Sequence, residues 1–401
     1  MVPDVSAPVP TPVPAAPPQT SPDRRGSPIP TGAMIATRFM ELRKRRGLMV
    51  TLILVTIGFP TVFLLIRLLL HAVSPTSYGP AGGYNVFTGL VIGVLYIFGF
   101  IVAATLGCTA GSIDLTEGMF RHLVVTGRSR VALYLARIPA GLAIIVPLVA
   151  VGFTIVCGVC VLAAPTRLNY NGVDVPANLS QAGLVSWAGD HADEVICNFG
   201  IKIGPSSTQG STIAAAVNSV PCGNGPGGPV RVVNPPGSQP QSQASQAQIR
   251  EAAGAIARMN YADYARTFLS PSNSLMIKTG LWIELEAAVG LIVGLGLSSL
   301  LGQRTVAVIL MIVLEIVLTP ILSRAHIPHL SNLQRSVVGL ATAHLEPGGL
   351  PVAFGGGGGP NGGHAASLLL PESTTVAVCV IVAWLVGWTV LGAWRMATRD
   401  A

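Results

Sequence analysis

The chain has 401 residues, of which 50% are hydrophobic and only 10% are charged. A soluble domain usually carries about a quarter charged residues, so this composition excludes one large water-soluble core and indicates membrane spans joined by polar connections. The net charge of +7 does not indicate nucleic-acid binding, because the arginines flank apolar windows instead of forming one basic stripe.

The chain begins with a polar tail and a short amphipathic segment. Residues 1–33 are rich in Pro, Ser and Thr and have no apolar run, so we expect a disordered cytoplasmic tail and no cleavable signal peptide. In residues 34–46, the apolar side chains Ile35, Phe39 and Leu42 recur at helical spacing among arginines. This predicts an amphipathic helix on the inner membrane surface; the alternative is a plain basic stop before the first span.

Six apolar windows predict an all-α integral membrane protein with six transmembrane helices. A helix needs about 20 apolar residues to cross a bilayer. The windows cover residues 48–70, 86–108, 133–162, 279–301, 306–322 and 374–393. Pro60 is expected to kink the first span. The third window is longer than a bilayer requires, so we expect it to tilt or to begin in the interface.

Two long polar connections separate these windows. Residues 165–275 are rich in Gly, Pro, Asn and Ser and predict an ectodomain or a long structured loop outside the cell, with one helical stretch at about 246–268. Residues 324–373 predict a second outer loop. Cys197 and Cys222 lie in the first of these loops, where a disulfide could persist outside the cell. The other four cysteines lie in apolar windows and are expected to act as small hydrophobes.

The arginines fix the expected orientation. With six spans, all four basic segments fall on the same side of the membrane. They lie before span one, between spans two and three, between spans four and five, and after span six. The connection between spans one and two, residues 71–85, contains no Lys or Arg. Positive residues favour the cytoplasmic side, so we expect a multi-pass protein of the cell membrane with both termini in the cytoplasm.

Ionisable side chains inside the windows are costly and indicate function or pairing, and four of them are candidate sites. They are Arg67, Glu284, Glu286 and Glu315. Arg67 and Glu284 should lie at similar depth, so we expect them to pair, with Glu286 as the other candidate partner; Arg67 could instead snorkel to the interface. Glu315 lies deeper, where it could carry protons or make a structural hydrogen bond.

Motifs for catalysis are absent from the sequence. No lysine follows a glycine, as a nucleotide-binding P-loop requires, and no H-E-x-x-H or G-x-S-x-G motif occurs. We therefore expect no catalytic residue, metal site or bound cofactor in this chain. Uphill transport would need energy from another subunit or from an ion gradient.

The connection between spans two and three is the most informative stretch. Residues 114–125 predict a short helix that Asp114 or Thr116 can cap, and Glu117 favours its first turn. The run from Glu117 to Arg130, EGMFRHLVVTGRSR, resembles the signature region of type-2 ABC exporter permeases. The matching residues are Glu117, Gly118, Arg121, Ser129 and Arg130, whereas Met119 and Phe120 replace the usual Thr and Leu. The loop before span six also resembles the outer re-entrant region of that family, whereas the long 165–275 loop departs from its minimal form.

The resemblance implies a permease whose short cytoplasmic helix docks into a separate ABC ATPase. The residues expected to bind that partner are Asp114, Glu117, Gly118, Phe120, Arg121, Arg128 and Arg130. A second permease copy, identical or related, would complete the transporter, surrounded by membrane lipids, and ATP and Mg would bind in the partner subunit. Two alternatives are a proton-coupled secondary transporter that uses Glu315 and a membrane sensor or scaffold that uses the outer loops.

Overall fold

The structure is a computed structural model that describes residues 27–74, 78, 80–116, 129–164, 167–170, 173–198, 220, 244–268, 270–324, 331–347 and 372–398. It is helical apart from one two-stranded hairpin among these residues. In chain order the elements are α1 (Gly32–Lys44), α2 (Arg46–Val73), α3 (residues 84–116), α4 (Arg130–Leu162), β1 (Arg167–Tyr170), β2 (Val173–Pro176), α5 (Gln181–Asp190), α6 (Ala192–Asn198), α7 (Gln246–Phe268), α8 (Asn273–Leu301), α9 (residues 304–324), α10 (Ser331–Ser336), α11 (Val338–Ala343) and α12 (Thr374–Thr398).

Five of these helices are long and apolar enough to cross a membrane, namely α2, α3, α4, α8 and α12. Each coincides with one of the predicted windows, so the chain is a helical membrane protein. The remaining window forms α9, a continuous helix made of Arg304–Ile312, a π-helical turn at Val313–Leu318, and Thr319–Arg324. The six-span topology stays a prediction.

Helices α3 and α8 form the closely packed centre of the bundle. Each carries two glycines four residues apart, and these glycines face the other helix. A Cβ atom at Gly107 would lie 2.1 Å from the Leu291 carbonyl oxygen, and one at Gly294 would lie 2.7 Å from the Ala104 carbonyl oxygen. Small residues at this spacing let two membrane helices pack backbone against backbone. The interface therefore depends on the absence of side chains.

A π-helical turn lies next to Pro60, the residue at which a kink of the first span was predicted. Proline removes the helical hydrogen bond to the carbonyl four residues earlier, that of Thr56. The turn at Leu54–Gly58 directly precedes this region of α2. Gly152 of α4 packs against the backbone of α2 at this point, since a Cβ atom at Gly152 would lie 2.2 Å from the Thr56 carbonyl oxygen.

The stretch at 165–275, for which an ectodomain or a long structured loop was predicted, contains among its described residues a small domain with its own apolar core. The strands β1 and β2 pair antiparallel with Leu168 opposite Val175. Val175, Leu184, Ile196 and Ile256 of β2, α5, α6 and α7 are buried together. The helical stretch predicted at 246–268 is confirmed as α7. The apolar residues of these short helices recur at helical spacing, and this periodicity outweighs the Gly and Pro content of the segment.

Two boundaries also differ from the prediction. The second span was expected to end at Cys108, with a separate helix starting at Asp114, but α3 continues without a break to Thr116. Residues 109–116 contain no proline, and the Ser112 hydroxyl donates to the Cys108 carbonyl oxygen within the helix. The amphipathic segment predicted at 34–46 is helical as α1 and ends two residues earlier, before Arg45.

Candidate functional site

The buried polar groups of three long helices meet beside the short helix α11. We call Tyr96 of α3, Glu286 of α8, Glu315 of α9 and Thr342 of α11 the carboxylate cluster. The Tyr96 hydroxyl donates to the Glu315 Oε1 atom at 3.2 Å. Glu286 is 1% exposed and Glu315 is 5% exposed. Carboxyl groups buried this deeply in membrane helices are costly, so they mark candidate functional positions.

Two of the four cluster residues lie in π-helical turns. Tyr96 ends the turn at Val91–Tyr96, and Glu315 lies within Val313–Leu318. A π-helical turn inserts one residue into the helix and redirects the side chains around it, and such turns are frequent at functional sites. Local backbone geometry therefore brings the hydroxyl and the carboxyl group together.

An aromatic pair fixes the cluster to α11. The rings of Tyr96 and Trp282 stack with centroids 4.9 Å apart and planes 5° from parallel. The Trp282 indole Nε1 donates to the carbonyl oxygen of Thr342 at 3.0 Å. Every residue of α11 is buried. The short helix is thus inserted among the long helices rather than lying on their surface.

The carboxyl group of Glu315 lies directly against the backbone of α11. A Cβ atom at Gly339 would lie 2.7 Å from Glu315 Oε2, so only glycine fits at this position without displacing the carboxyl group. Neither Glu315 Oε2 nor Glu286 Oε1 has a hydrogen-bond partner among the described residues. The two buried carboxyl groups lie close enough to interact, so they would repel each other if both were ionised.

The expected ion pair between Arg67 and Glu284 is not formed in this structure. The Arg67 guanidinium donates instead to the Pro80 carbonyl oxygen at 2.8 Å. Both carboxylate oxygens of Glu284 lack a hydrogen-bond partner among the described residues. The acceptor, Pro80, lies in the connection between α2 and α3, and the alternative that Arg67 snorkels to the interface stays a prediction.

The predicted partner-binding residues lie mostly beyond what the structure describes. Glu117, Gly118, Phe120, Arg121 and Arg128 lie outside the described residues. The backbone of Asp114 belongs to the last turn of α3. Arg130 begins α4 and donates to the Ala397 carbonyl oxygen of α12 at 3.4 Å. This contact joins the start of one long helix to the end of another.

Arg137 is a buried residue that the sequence reasoning did not assign to a site. It is 1% exposed, and its guanidinium donates to the Gly111 carbonyl oxygen of α3 at 3.1 Å. The contact ties the beginning of α4 to the end of α3. The available signal was an arginine inside an apolar window, the same signal that singled out Arg67.

Cys197 of α6 is disulfide-bonded. Its predicted partner, Cys222, lies outside the described residues. The four cysteines predicted to act as small hydrophobes, Cys108, Cys157, Cys160 and Cys379, carry free thiols. A bonded cysteine in the small domain fits an oxidising environment.

Comparison of the chain with protein-family models, with characterised proteins and with solved structures gives no match.

Proposed function

We propose that this chain is the membrane-spanning permease subunit of an ATP-driven ABC exporter, in which a separate cytoplasmic ATPase hydrolyses ATP. The resemblance at residues 117–130 motivates the proposal. The observation that carries it is the short helix α11, which is buried along its whole length and, together with α10, precedes the last long helix. This is where the resemblance implies an outer re-entrant region, and the Trp282 indole holds α11 in place through Thr342.

The position of α1 supports the same reading. Met34 of α1 is buried together with Ala132, Leu133 and Ala136 at the start of α4. The amphipathic helix therefore contacts the long helix that directly follows residues 117–128. An ATPase docked on those residues would move α1 and α4 together.

The ends of the helices support six spans with both termini in the cytoplasm. Arg45 before α2 and Arg304 at the start of α9 line one pocket together with Thr109 of α3. The contact of Arg130 with Ala397 joins the start of α4 to the end of α12. Basic residues thus lie at helix ends in both places, which supports assigning these ends to a positive inner side.

The test is co-purification of an ATPase with the tagged full-length chain from native membranes. Reversing two charges of the docking segment, with Glu117→Lys and Arg121→Glu together, should lower the yield of co-purified ATPase at least tenfold, because complementary charges select the partner. The matched control exchanges two charges of the small domain, with Arg250→Glu and Glu251→Lys, and should retain the ATPase.

Undiminished ATPase binding by the docking variant, with normal elution of the chain, contradicts the proposal. Transport of substrate by the wild-type chain in the absence of any bound ATPase would also contradict the proposal.

The carboxylate cluster favours a second candidate function, a secondary transporter driven by protons. Glu315 and Glu286 are both buried, and each has one carboxylate oxygen without a hydrogen-bond partner among the described residues. This candidate predicts that transport in proteoliposomes follows an imposed pH gradient without ATP and that Glu315→Gln abolishes it. ATP-dependent transport that survives Glu315→Gln excludes it.

A further inference from the structure

A pocket of about 260 Å³ lies where α2 and α9 begin. Its lining residues are Arg45, Gly47, Leu48, Thr51, Thr105, Thr109 and Arg304. We call it the arginine pocket. Two arginines from different parts of the chain line it, and none of the lining residues in the described part of the chain is acidic. The pocket is smaller than the roughly 300–1,000 Å³ of sites for drug-sized ligands, so it suits a headgroup rather than a whole lipid.

The helix ends around the pocket also favour an anion. The α2 helix starts at Arg46 with Arg45 as its N-cap, and α9 starts at Arg304 with Gln303 as its N-cap. Neither N-cap side chain accepts a hydrogen bond from the first helical turn. The first backbone N–H groups of a helix attract negative charge, and guanidinium groups bind phosphate with paired, charge-assisted hydrogen bonds.

The next turns of the same two helices are apolar and exposed. In α2 the exposed apolar residues include Val50 and Leu54, and in α9 they include Val306 and Ile309. Acyl chains could lie along these surfaces while the headgroup occupies the pocket. A free anion would gain nothing from these surfaces.

We propose that the arginine pocket binds the phosphate of an anionic phospholipid at one membrane boundary, with Arg45 and Arg304 as its cationic ligands. The chemistry is phosphate recognition by two arginines, and the adjoining apolar turns select a lipid over a free phosphate. The two ligands come from segments far apart in sequence, so the bound lipid also bridges the first long helix and the α8–α9 turn.

The experiment is native mass spectrometry of the purified full-length chain with added lipid. Dioleoyl phosphatidylglycerol should bind, while dioleoyl phosphatidylcholine and glycerol phosphate should bind at least tenfold more weakly. The double variant Arg45→Gln with Arg304→Gln should lower phosphatidylglycerol affinity at least tenfold. The matched control, Arg43→Gln with Lys44→Gln, removes two exposed positive charges that do not line the pocket and should bind as the wild type does.

A second variant keeps both arginines and fills the pocket instead. Thr51→Trp places a bulky ring at an exposed lining position and should lower phosphatidylglycerol affinity similarly, while the protein elutes normally. Equal loss in the Arg43/Lys44 control would mean that surface charge alone attracts the lipid, and the proposal would fall. Equal binding of phosphatidylcholine, or binding of glycerol phosphate as tight as that of phosphatidylglycerol, would also overturn it.

Discussion

Two glutamates two positions apart on α8 have different environments. Glu284 is half-buried, and both its carboxylate oxygens lack a partner among the described residues, whereas Glu286 is buried beside Glu315. Successive helical residues are rotated by about 100°, so side chains two positions apart point to nearly opposite faces. The sequence predicted that both residues matter but could not identify which one faces the bundle, because either rotation of α8 buries one glutamate.

The contact between Gly339 and Glu315 can be tested by adding one methyl group. Gly339→Ala places a Cβ atom against the Glu315 carboxyl group, which must move and strain its hydrogen bond with Tyr96. We expect a destabilisation of about 1–3 kcal/mol, as for other overpacked sites, measured by thermal unfolding in detergent. Gly387→Ala in α12 is the control, because no atom lies within 4 Å of a Cβ there.

Adding Glu315→Asp should recover part of the stability lost in Gly339→Ala, because the aspartate side chain is shorter and leaves room for the new methyl group. Coupled neighbours give non-additive effects in a double-mutant cycle. Strictly additive effects would show that the two residues do not act on each other.

The hydrogen bond from Tyr96 to Glu315 has its own test. Tyr96→Phe keeps the ring that stacks on Trp282 but leaves Glu315 Oε1 without its donor. An unsatisfied buried acceptor costs about 1–3 kcal/mol, so the unfolding temperature should fall. Tyr78→Phe, at an exposed position, should leave it unchanged. A Tyr96→Phe protein as stable as wild type would mean that this hydrogen bond contributes nothing.

At the scale of elements, the long helices were the most predictable part of the fold. Each apolar window carries enough hydropathy to identify a helix by itself, and the helical period in residues 246–268 did the same for α7. The α11 helix could not be predicted, since Val338–Ala343 is too short for a span and its burial depends on contacts such as the one with Trp282. The Gly107 and Gly111 spacing is visible in the sequence, but only the structure identifies α8 as the partner helix.

The glycine interface between α3 and α8 predicts a position-specific effect. Gly107→Ala would place a Cβ atom 2.1 Å from the Leu291 carbonyl oxygen, so the helices must separate. We expect a loss of more than about 2 kcal/mol, well beyond the roughly 1 kcal/mol that alanine gains in helix propensity. The readout is unfolding by a denaturing detergent.

The control for this interface lies on the same helix. No atom lies within 4 Å of a Cβ at Gly99, so Gly99→Ala should be neutral or slightly stabilising. Similar losses at both positions would indicate a general effect of helix glycines rather than close packing with α8.

At the scale of the whole molecule, one tyrosine links two parts of the small domain between α4 and α8. The Tyr264 hydroxyl donates to the Pro176 carbonyl oxygen at 2.5 Å and accepts from the Leu179 N–H at 3.0 Å. It thereby joins α7 to the end of the hairpin. Tyr264→Phe should raise hydrogen–deuterium exchange throughout α5, α6 and α7, and the long membrane helices should exchange as before. Tyr261→Phe is the neighbouring control.

The same tyrosine predicts a dependence on alkaline pH. Burial raises the pKa of Tyr264 above its usual value, which is about 10. The folded domain therefore favours the protonated phenol, and its stability falls as pH rises above the unfolded value and through the folded one. Exchange protection of α7 should decline above about pH 10 in the wild type and decline less in Tyr264→Phe. An identical decline in both proteins would assign the effect to other groups.

The rigidity of the centre determines where this molecule can move. The backbones of α3 and α8 interlock at Gly107 and Gly294, where a carbonyl group of one helix packs against a glycine of the other. The helices can slide past each other only if these contacts separate, and the next matching register lies about one turn, 5.4 Å, away. Alternating access, in which a path opens first to one side of the membrane and then to the other, requires a fixed frame and moving parts. Under the transport function proposed above, α3 and α8 would form that fixed frame, and any movement would have to occur at other contacts of the bundle.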